Sequence, residues 1–509
     1  MSTAPPKRDR SVTTSQDSPG APSIPAHPHH AQRWLILGVL GAAQLMVVLD
    51  ATIVNIALPS AQEDLGFSHD ARQWVITAYA LAFGALLPLG GRVGDLMGRK
   101  RALLIGLIGF AAASAIGGAA TDIGMLVTAR AAQGVFGALL APATLSLLMT
   151  TFTDARERAK AFGIYGAIAG AGLAAGLLLG GVLTQWLDWR WCLYVNIVIA
   201  VVTVAGAWTT LHHQAPEGPR PRLDIPGTLT VSAGLFCLVN GFANAETHAW
   251  GEPAVWACLV AAVVLLTVFT LIETRVAHPL IPLRVLFDRT RGAALLSVML
   301  LGLGQFGVLL FLTYYFQQNL GLSPISSGAA FVPMIAGLAV TATAANSILV
   351  PRYGARPLVP TGFVVAGAGL FWLTGIDTTS SYTSDVLGPL IVTGIGTGMA
   401  IAPAMTAGIS GVRAEDAGAA SALMNTGQQV GYSVGTAVLS SIAASALTDQ
   451  LAGQNSISSA VAAGAAVHSY TTTFMWCAVI FLIGAVISGA LLRSGPLAQD
   501  PDAGPVVHV

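Results

Sequence analysis

The chain has 509 residues; it is 54% hydrophobic and only 9% charged, and its 24 basic and 24 acidic residues cancel. A soluble domain carries about 25% charged residues, so the composition excludes an ordinary soluble protein, and the zero net charge gives a nucleic-acid partner no support. The four cysteines, Cys192, Cys237, Cys258 and Cys477, all fall in apolar runs with no CxxC spacing, which argues against redox, disulfide and metal chemistry and for structural thiols.

Residues 1–33 are rich in Pro, Ser, Thr and charge and read as a disordered tail, in which His27, His29 and His30 are solvated rather than metal ligands. They hold no short apolar core of the kind a cleavable signal needs. Apolar runs long enough to span a bilayer follow. Fourteen are predicted, near 34–58, 73–90, 102–120, 124–148, 161–183, 191–210, 226–244, 254–273, 292–317, 328–350, 357–375, 385–408, 418–446 and 471–492. Their connections are short except at 447–470, a Ser-, Ala- and Gly-rich segment expected to be a mobile outer loop.

Basic residues orient the spans. With the N-terminus inside, nearly every Lys and Arg falls in the tail or in an even-numbered loop; only Arg72, Arg130 and Arg190 do not. The odd-numbered loops carry Glu63, Asp64, Asp70, Glu246, Glu252, Asp377 and Asp385 instead. That is the positive-inside pattern, and it places both termini in the cytoplasm.

The sequence also repeats at an offset of 255 residues: LGFS at 65–68 returns as LGLS at 320–323, and Gly172, Gly176 and Gly180 return as Gly427, Gly431 and Gly435. DLMGRKR (95–101) has a counterpart one residue further on in PRYGARP (351–357). The repeat divides the chain into a tail (1–33), a six-helix bundle (34–210), two linker helices with flanking loops (211–291), a second six-helix bundle (292–495) and a second tail (496–509). Two homologous halves with a substrate site between them are a transporter architecture.

Asp50 lies inside the first span, in VVLDATIVNIALPS (47–60), where a carboxylate costs about 2.5–3.5 kcal/mol on insertion scales. Span 1 runs inside to outside, which puts Asp50 roughly 12 Å deep; Arg130, in span 4, is roughly 10 Å deep from the same surface. They are the two ionisable residues predicted well inside the spans, and pairing would explain how both are tolerated. Burial disfavours the charged form of an acid and a nearby cation favours it. A change in the pair's geometry would therefore load or release a proton on Asp50; a static tether between spans 1 and 4 is the plainer alternative.

In the turn after span 2, Gly91, Gly94 and Gly98 allow close packing, and Asp95 reaches Arg99 at i,i+4 if the helix continues. Such contacts would gate the inner side. In span 5, Gly172, Gly176 and Gly180 mark one face for close helix approach. In span 13, Asn425, Gln428, Gln429 and Tyr432 fall on one polar stripe. Gln305, Tyr314, Gln317 and Gln318 in span 9 and Asn55 in span 1 are similar in kind, and a wet central cavity for amphipathic molecules would be lined this way.

These motifs together resemble the fourteen-helix drug–proton antiporters of the major facilitator superfamily, over nearly all of residues 34–495. LDATIVNIALP (49–59) is similar to that group's first-helix motif, GRVGDLMGRKR (91–101) to the superfamily's loop motif, and RAAQG (130–134) to the fourth-helix motif whose arginine is linked to proton transfer. WLDWRWCLYVN (186–196), ETRVAHPLIPL (273–283) and YYFQQNLGLSP (314–324) also look like stretches of the family. The resemblance implies an all-α polytopic membrane protein of the major facilitator fold, with fourteen transmembrane helices arranged as 6 + 2 + 6. It implies a cell-membrane exporter of drug-like compounds driven by the proton-motive force, similar to actinobacterial antibiotic-resistance exporters. Asp50 and Arg130 take the coupling roles, and Asp95 and Arg99 the gating roles. No cofactor, metal or nucleic acid is called for, and the expected working unit is a monomer in the lipid bilayer. Two departures stand out: Leu177 follows Gly176 where the family has an export-linked proline, and Cys192 and Val198 replace the usual Phe and Pro around Asn196. A proton-coupled importer therefore stays open as a rival. A membrane enzyme or receptor would need a nucleophile–base pair, metal cluster, phosphate loop or sensor domain that the sequence does not show.

Overall fold

The computed structural model describes residues 32–152, 155–211, 224–247, 252–276, 286–412, 417–452 and 458–493, so both tails and the His27–His30 cluster fall outside it. The regular elements among the described residues are all helical, and fourteen are long and apolar enough to cross a membrane. They are α1 (Arg33–Leu65), α2 (His69–Met97), α3 (Arg99–Gly118), α4 (Ile123–Thr151), α5 (Ala155–Trp186), α6 (Trp191–Thr210) and α7 (Ile225–Thr247). After them come α8 (Pro253–Glu273), α9 (Arg289–Asn319), α10 (Pro324–Tyr353), α11 (Ala355–Leu373), α12 (Tyr382–Ile409), α13 (Ala417–Leu451) and α14 (Ser459–Leu491).

Side-chain caps fix several starts. Ser68, Asp122, Ser323 and Ser458 accept backbone N–H groups one turn ahead, and Asp288 accepts those of Thr290 and Arg291. One predicted loop is corrected: α13 runs on to Leu451 and α14 begins at Ser459, so most of 447–470 is helix rather than mobile chain. Its alanines favour helix, and Ser458 caps the new turn.

The internal repeat is conformational as well as textual. Gly66 and Gly321, at the ends of α1 and α9, have φ of +66° and +63°, and the serine two residues on caps the next helix in both halves. Gly98 and Gly354, between α2 and α3 and between α10 and α11, have φ of +92° and +74°. Positive φ strains any residue with a Cβ, so glycine recurs at these turns.

Packing follows the repeat. In the first half α1 packs on α4, α5 and α6, α2 on α4, and α3 on α4 and α6. In the second, α9 packs on α12, α13 and α14, α10 on α12, and α11 on α12 and α14. The glycine triads seat the first helix of each half. A Cβ on Gly180 would lie 2.9 Å from the Ile53 carbonyl of α1, and one on Gly435 would lie 2.6 Å from Leu303 Cα of α9. Helices α7 and α8 pair with each other, and α7 lies against α2 and α13, completing the 6 + 2 + 6 arrangement.

The α1–α2 and α5–α6 turns share one face with the other odd-numbered turns, here the odd face; the α2–α3 turn lies on the even face. The halves touch through α2 with α13 and α5 with α10. Near the odd face the seam is tight: Gln317 of α9 donates to the Ile56 carbonyl of α1 at 3.1 Å, and the Ile325 N–H of α10 donates to Gln185 of α5 at 3.4 Å. The guanidinium of Arg72, at the odd end of α2, stacks 3.7 Å from the ring centre of Tyr314.

Candidate functional site: a buried acid held by an arginine and two amides

Asp50 sits near the middle of α1, and α4 brings Arg130 to it. Arg130 Nη1 lies 2.6 Å from Asp50 Oδ2, with the acid 0% and the arginine 2% exposed. The same Nη1 donates to Gln133 Oε1 at 2.8 Å, and Nε donates to the Val75 carbonyl of α2 at 3.1 Å. The guanidinium also lies 4.5 Å from the ring centre of Tyr79. Asp50 Oδ1 accepts two amide donors, Gln133 Nε2 at 2.9 Å and Asn196 Nδ2 of α6 at 2.7 Å. Gln133 Nε2 further donates to Ser114 of α3 at 2.7 Å. Five helices of the first half thus converge on one carboxylate. Breaking a buried pair by removing one partner costs about 3–5 kcal/mol, because the other charge is left uncompensated.

The expected contact between Asp50 and Arg130 is therefore present. Gln133, Asn196, Ser114 and the Val75 carbonyl were not anticipated. Gln133 carried a signal, since it follows Arg130 by three residues on one helix face. Asn196 carried a weaker one, as a lone amide in an apolar run. Ser114 and Val75 carried none, because their contacts join distant segments.

In the turn after α2, helix ends at Met97 and restarts at Arg99 with Gly98 at φ +92°. The continuous helix needed to set Asp95 against Arg99 at i,i+4 is absent, since the left-handed glycine breaks it; the Asp95 side chain lies outside the described residues. Arg99 opens α3, and a Cβ on Gly91 would pack 3.6 Å from Pro142 of α4. In α5, Gly172 meets the Leu45 and Val48 side chains, and Gly176 meets Thr52 and the Leu49 carbonyl of α1. Leu177, where the family proline was expected, is fully buried within unbroken α5, and its carbonyl faces Gly328 of α10.

The expected cavity residues fall in several different settings in this arrangement. Asn425 is exposed, and Gln428, Gln429 and Tyr432 are half-buried. Gln429 packs toward Gly84 of α2 and Tyr432 toward Gly302 of α9. Tyr314 is fully buried beneath Arg72, and Gln317 belongs to the odd-face seam. Asn55 is buried and donates to the Ala51 carbonyl of its own helix at 3.2 Å. Gln305 lines a cleft inside the second half with Met334, Thr393, Thr397 and Phe481. A second, apolar cleft runs from Arg130 toward the odd face past Val54, Leu58, Ala61, Leu126 and Trp189.

Two repeated bundles of membrane-length helices, with an ion pair sealed inside one of them, define a helical membrane transporter. The chain belongs to the Major Facilitator Superfamily, matching that family over residues 40–436. It is 46% identical to the puromycin resistance protein pur8 of Streptomyces alboniger, over 92% of this chain and 93% of that one. It is 38% identical to the cephamycin export protein CmcT of Amycolatopsis lactamdurans, over 89% of this chain and 92% of that one. Among solved structures, a bacterial homolog of the human lysosomal transporter Spinster, inward-facing and unoccupied, superposes with a TM-score of 0.64 at 15% identity, covering 90% of this chain and 96% of that one. That likeness is one of fold.

Proposed function

We propose that this protein exchanges external protons for amphipathic antibiotics at the bacterial cytoplasmic membrane, with its odd face outward and both termini in the cytoplasm. It works as a monomer and by transport, not catalysis. The observation that carries the coupling is the wholly buried Asp50 carboxylate clamped by Arg130. Full-length similarity to proteins named for puromycin resistance and cephamycin export supports the direction and the substrate class.

An ionised Asp50 fixes where α1 and α2 stand against α4, through Oδ2 on Arg130 and Arg130 Nε on Val75. A proton on Asp50 replaces the ion pair with a neutral contact and resets that position. Both helices run directly to the seam: α1 presents Ile56 to Gln317, and α2 presents Arg72, one turn before Val75, to Tyr314. The charge on Asp50 is thereby linked to the closure between the halves, and substrate need not touch the acid.

Everted vesicles with an acidic lumen are expected to take up puromycin only when the protein is present; no uptake overturns export. Leu177 in place of the export-linked proline leaves the rival reading open, a proton-driven importer, and vesicles that lose preloaded compound down the proton gradient would establish it. In a pump-deficient host, Asp50→Asn is expected to remove resistance entirely. Wild-type resistance from that variant would sink the coupling assignment.

A further inference from the structure

We propose that Asn196 is the amide that reads the proton on Asp50: its Nδ2 donates to the ionised acid, and a half-turn of the same amide presents its Oδ1 to accept the acid's O–H. This rests on Asp50 being the proton carrier. The two amides on Asp50 differ in what they have left over. Gln133 is committed at both ends, with Oε1 on Arg130 and Nε2 on Asp50 and Ser114. Asn196 is fully buried and binds Asp50 through Nδ2, while its Oδ1 is buried with no hydrogen-bond partner. An orphaned acceptor in an apolar bundle is costly, and here it lies one amide rotation from a carboxyl group.

The proton has a preferred landing atom. Oδ2 holds the charge-assisted bond from Arg130, whereas Oδ1 is held by neutral amides only. Protonation therefore forms an O–H bond at Oδ1, which needs an acceptor. Gln133 Oε1 is occupied by Arg130 and the Ser114 hydroxyl by Gln133. Asn196 Oδ1 is the one acceptor among these neighbours that holds no hydrogen bond, and its rotation breaks no bond except the one the proton has already made redundant. One polar atom of Asn196 is unpartnered before and after, Oδ1 first and Nδ2 second, so the exchange leaves the number of orphans unchanged. The other titratable or charged groups facing Asp50 are Arg130 of α4, the phenol of Tyr79 of α2 and the thiol of Cys192 of α6; α5 faces α1 here with Gly172, Gly176 and Gly180. Arginine is permanently charged, and free phenols and thiols titrate far above free carboxyls, in keeping with the proposed assignment of the proton to Asp50.

The test is pH-difference infrared spectroscopy on the full chain in lipid nanodiscs, with and without isotope-labelled asparagine. A carboxyl band lost in Asp50→Asn identifies the carrier; its absence in wild type would refute the underlying reading of Asp50 and with it this proposal. Given that band, the labelled wild type is expected to show an asparagine side-chain carbonyl band rising and falling with it. Asn196→Leu should erase the asparagine band and shift the titration midpoint by less than about half a pH unit, because the amide serves both charge states alike. Asn196→Ser, whose hydroxyl both donates and accepts, should restore drug–proton exchange that Asn196→Leu lowers about tenfold. Two results would overturn the amide switch while leaving Asp50 as carrier. One is a titrating Asp50 band with no asparagine band in labelled wild type, a measurement that depends on no variant folding. The other is an upward midpoint shift of about one pH unit or more in Asn196→Leu, the mark of an amide that serves only the carboxylate.

Discussion

The two halves share a helix arrangement and a set of turns, yet their interiors differ. In the first half, Asp50 is enclosed by Arg130, Gln133 and Asn196. In the second, Gln305, which stands 255 residues from Asp50, lines a neutral cleft with Thr393, Thr397 and apolar side chains. Equivalent scaffolds have thus been given different chemistry: one bundle stores a charge, and the other presents neutral contacts. A transporter built this way keeps a buried ion pair in one half and neutral polar groups in the other.

The widest separation between the halves should come from breaking the ion pair. Arg130→Ala is expected to destabilise the protein by about 3–5 kcal/mol and abolish exchange, whereas Asp50→Asn/Arg130→Ala recovers most of the stability but none of the coupling. Thermal unfolding in detergent, read as a double-mutant cycle, measures the difference; a double variant no more stable than Arg130→Ala would contradict the uncompensated-charge account.

Next in size is the glycine seating. A Cβ on Gly431 meets the Met299 backbone, which cannot rotate away, while one on Gly172 meets the Leu45 and Val48 side chains, which can. Gly431→Ala should cost about 2–3 kcal/mol and Gly172→Ala under about 1 kcal/mol. Equal losses in the same unfolding assay would show that backbone and side-chain neighbours resist a new methyl group alike.

Smaller effects are expected at the seam. Tyr314→Leu removes the ring under Arg72, worth about 1–2 kcal/mol, and should raise odd-face labelling of a cysteine at half-buried Ser60, near the odd end of α1 (Ser60→Cys), about tenfold. Unchanged labelling would mean that the stacking does not hold the halves together. The smallest effect belongs to Gln305→Leu, which should leave proton release on drug addition within about twofold of wild type. A loss comparable to that of Asp50→Asn would erase the distinction between the two interiors.

The pair of opposite charges was legible in the sequence because isolated charges in apolar runs are few and the loop charges fix their depth. The repeat was legible because positive-φ turns demand glycine. Asn196 was not, since a lone amide in a helix points to no partner until packing brings α6 against α1. The reach from Asp95 to Arg99 depends on an unbroken helix, which Gly98 does not provide: glycine admits either helix or a left-handed turn, and tertiary contacts decide between them. Residues 447–470 were misjudged because Ala- and Ser-rich chain is ambiguous between loop and helix end until a cap is seen.

The full burial of Asp50 has a bearing on timing. Beyond Arg130 and Cys192, the cleft on the odd-face side is walled by aliphatic and aromatic groups, which offer water few bonds. With no part of its side chain exposed, the acid meets bulk water only after the helices around it part, so each protonation has to wait on a movement of the bundle.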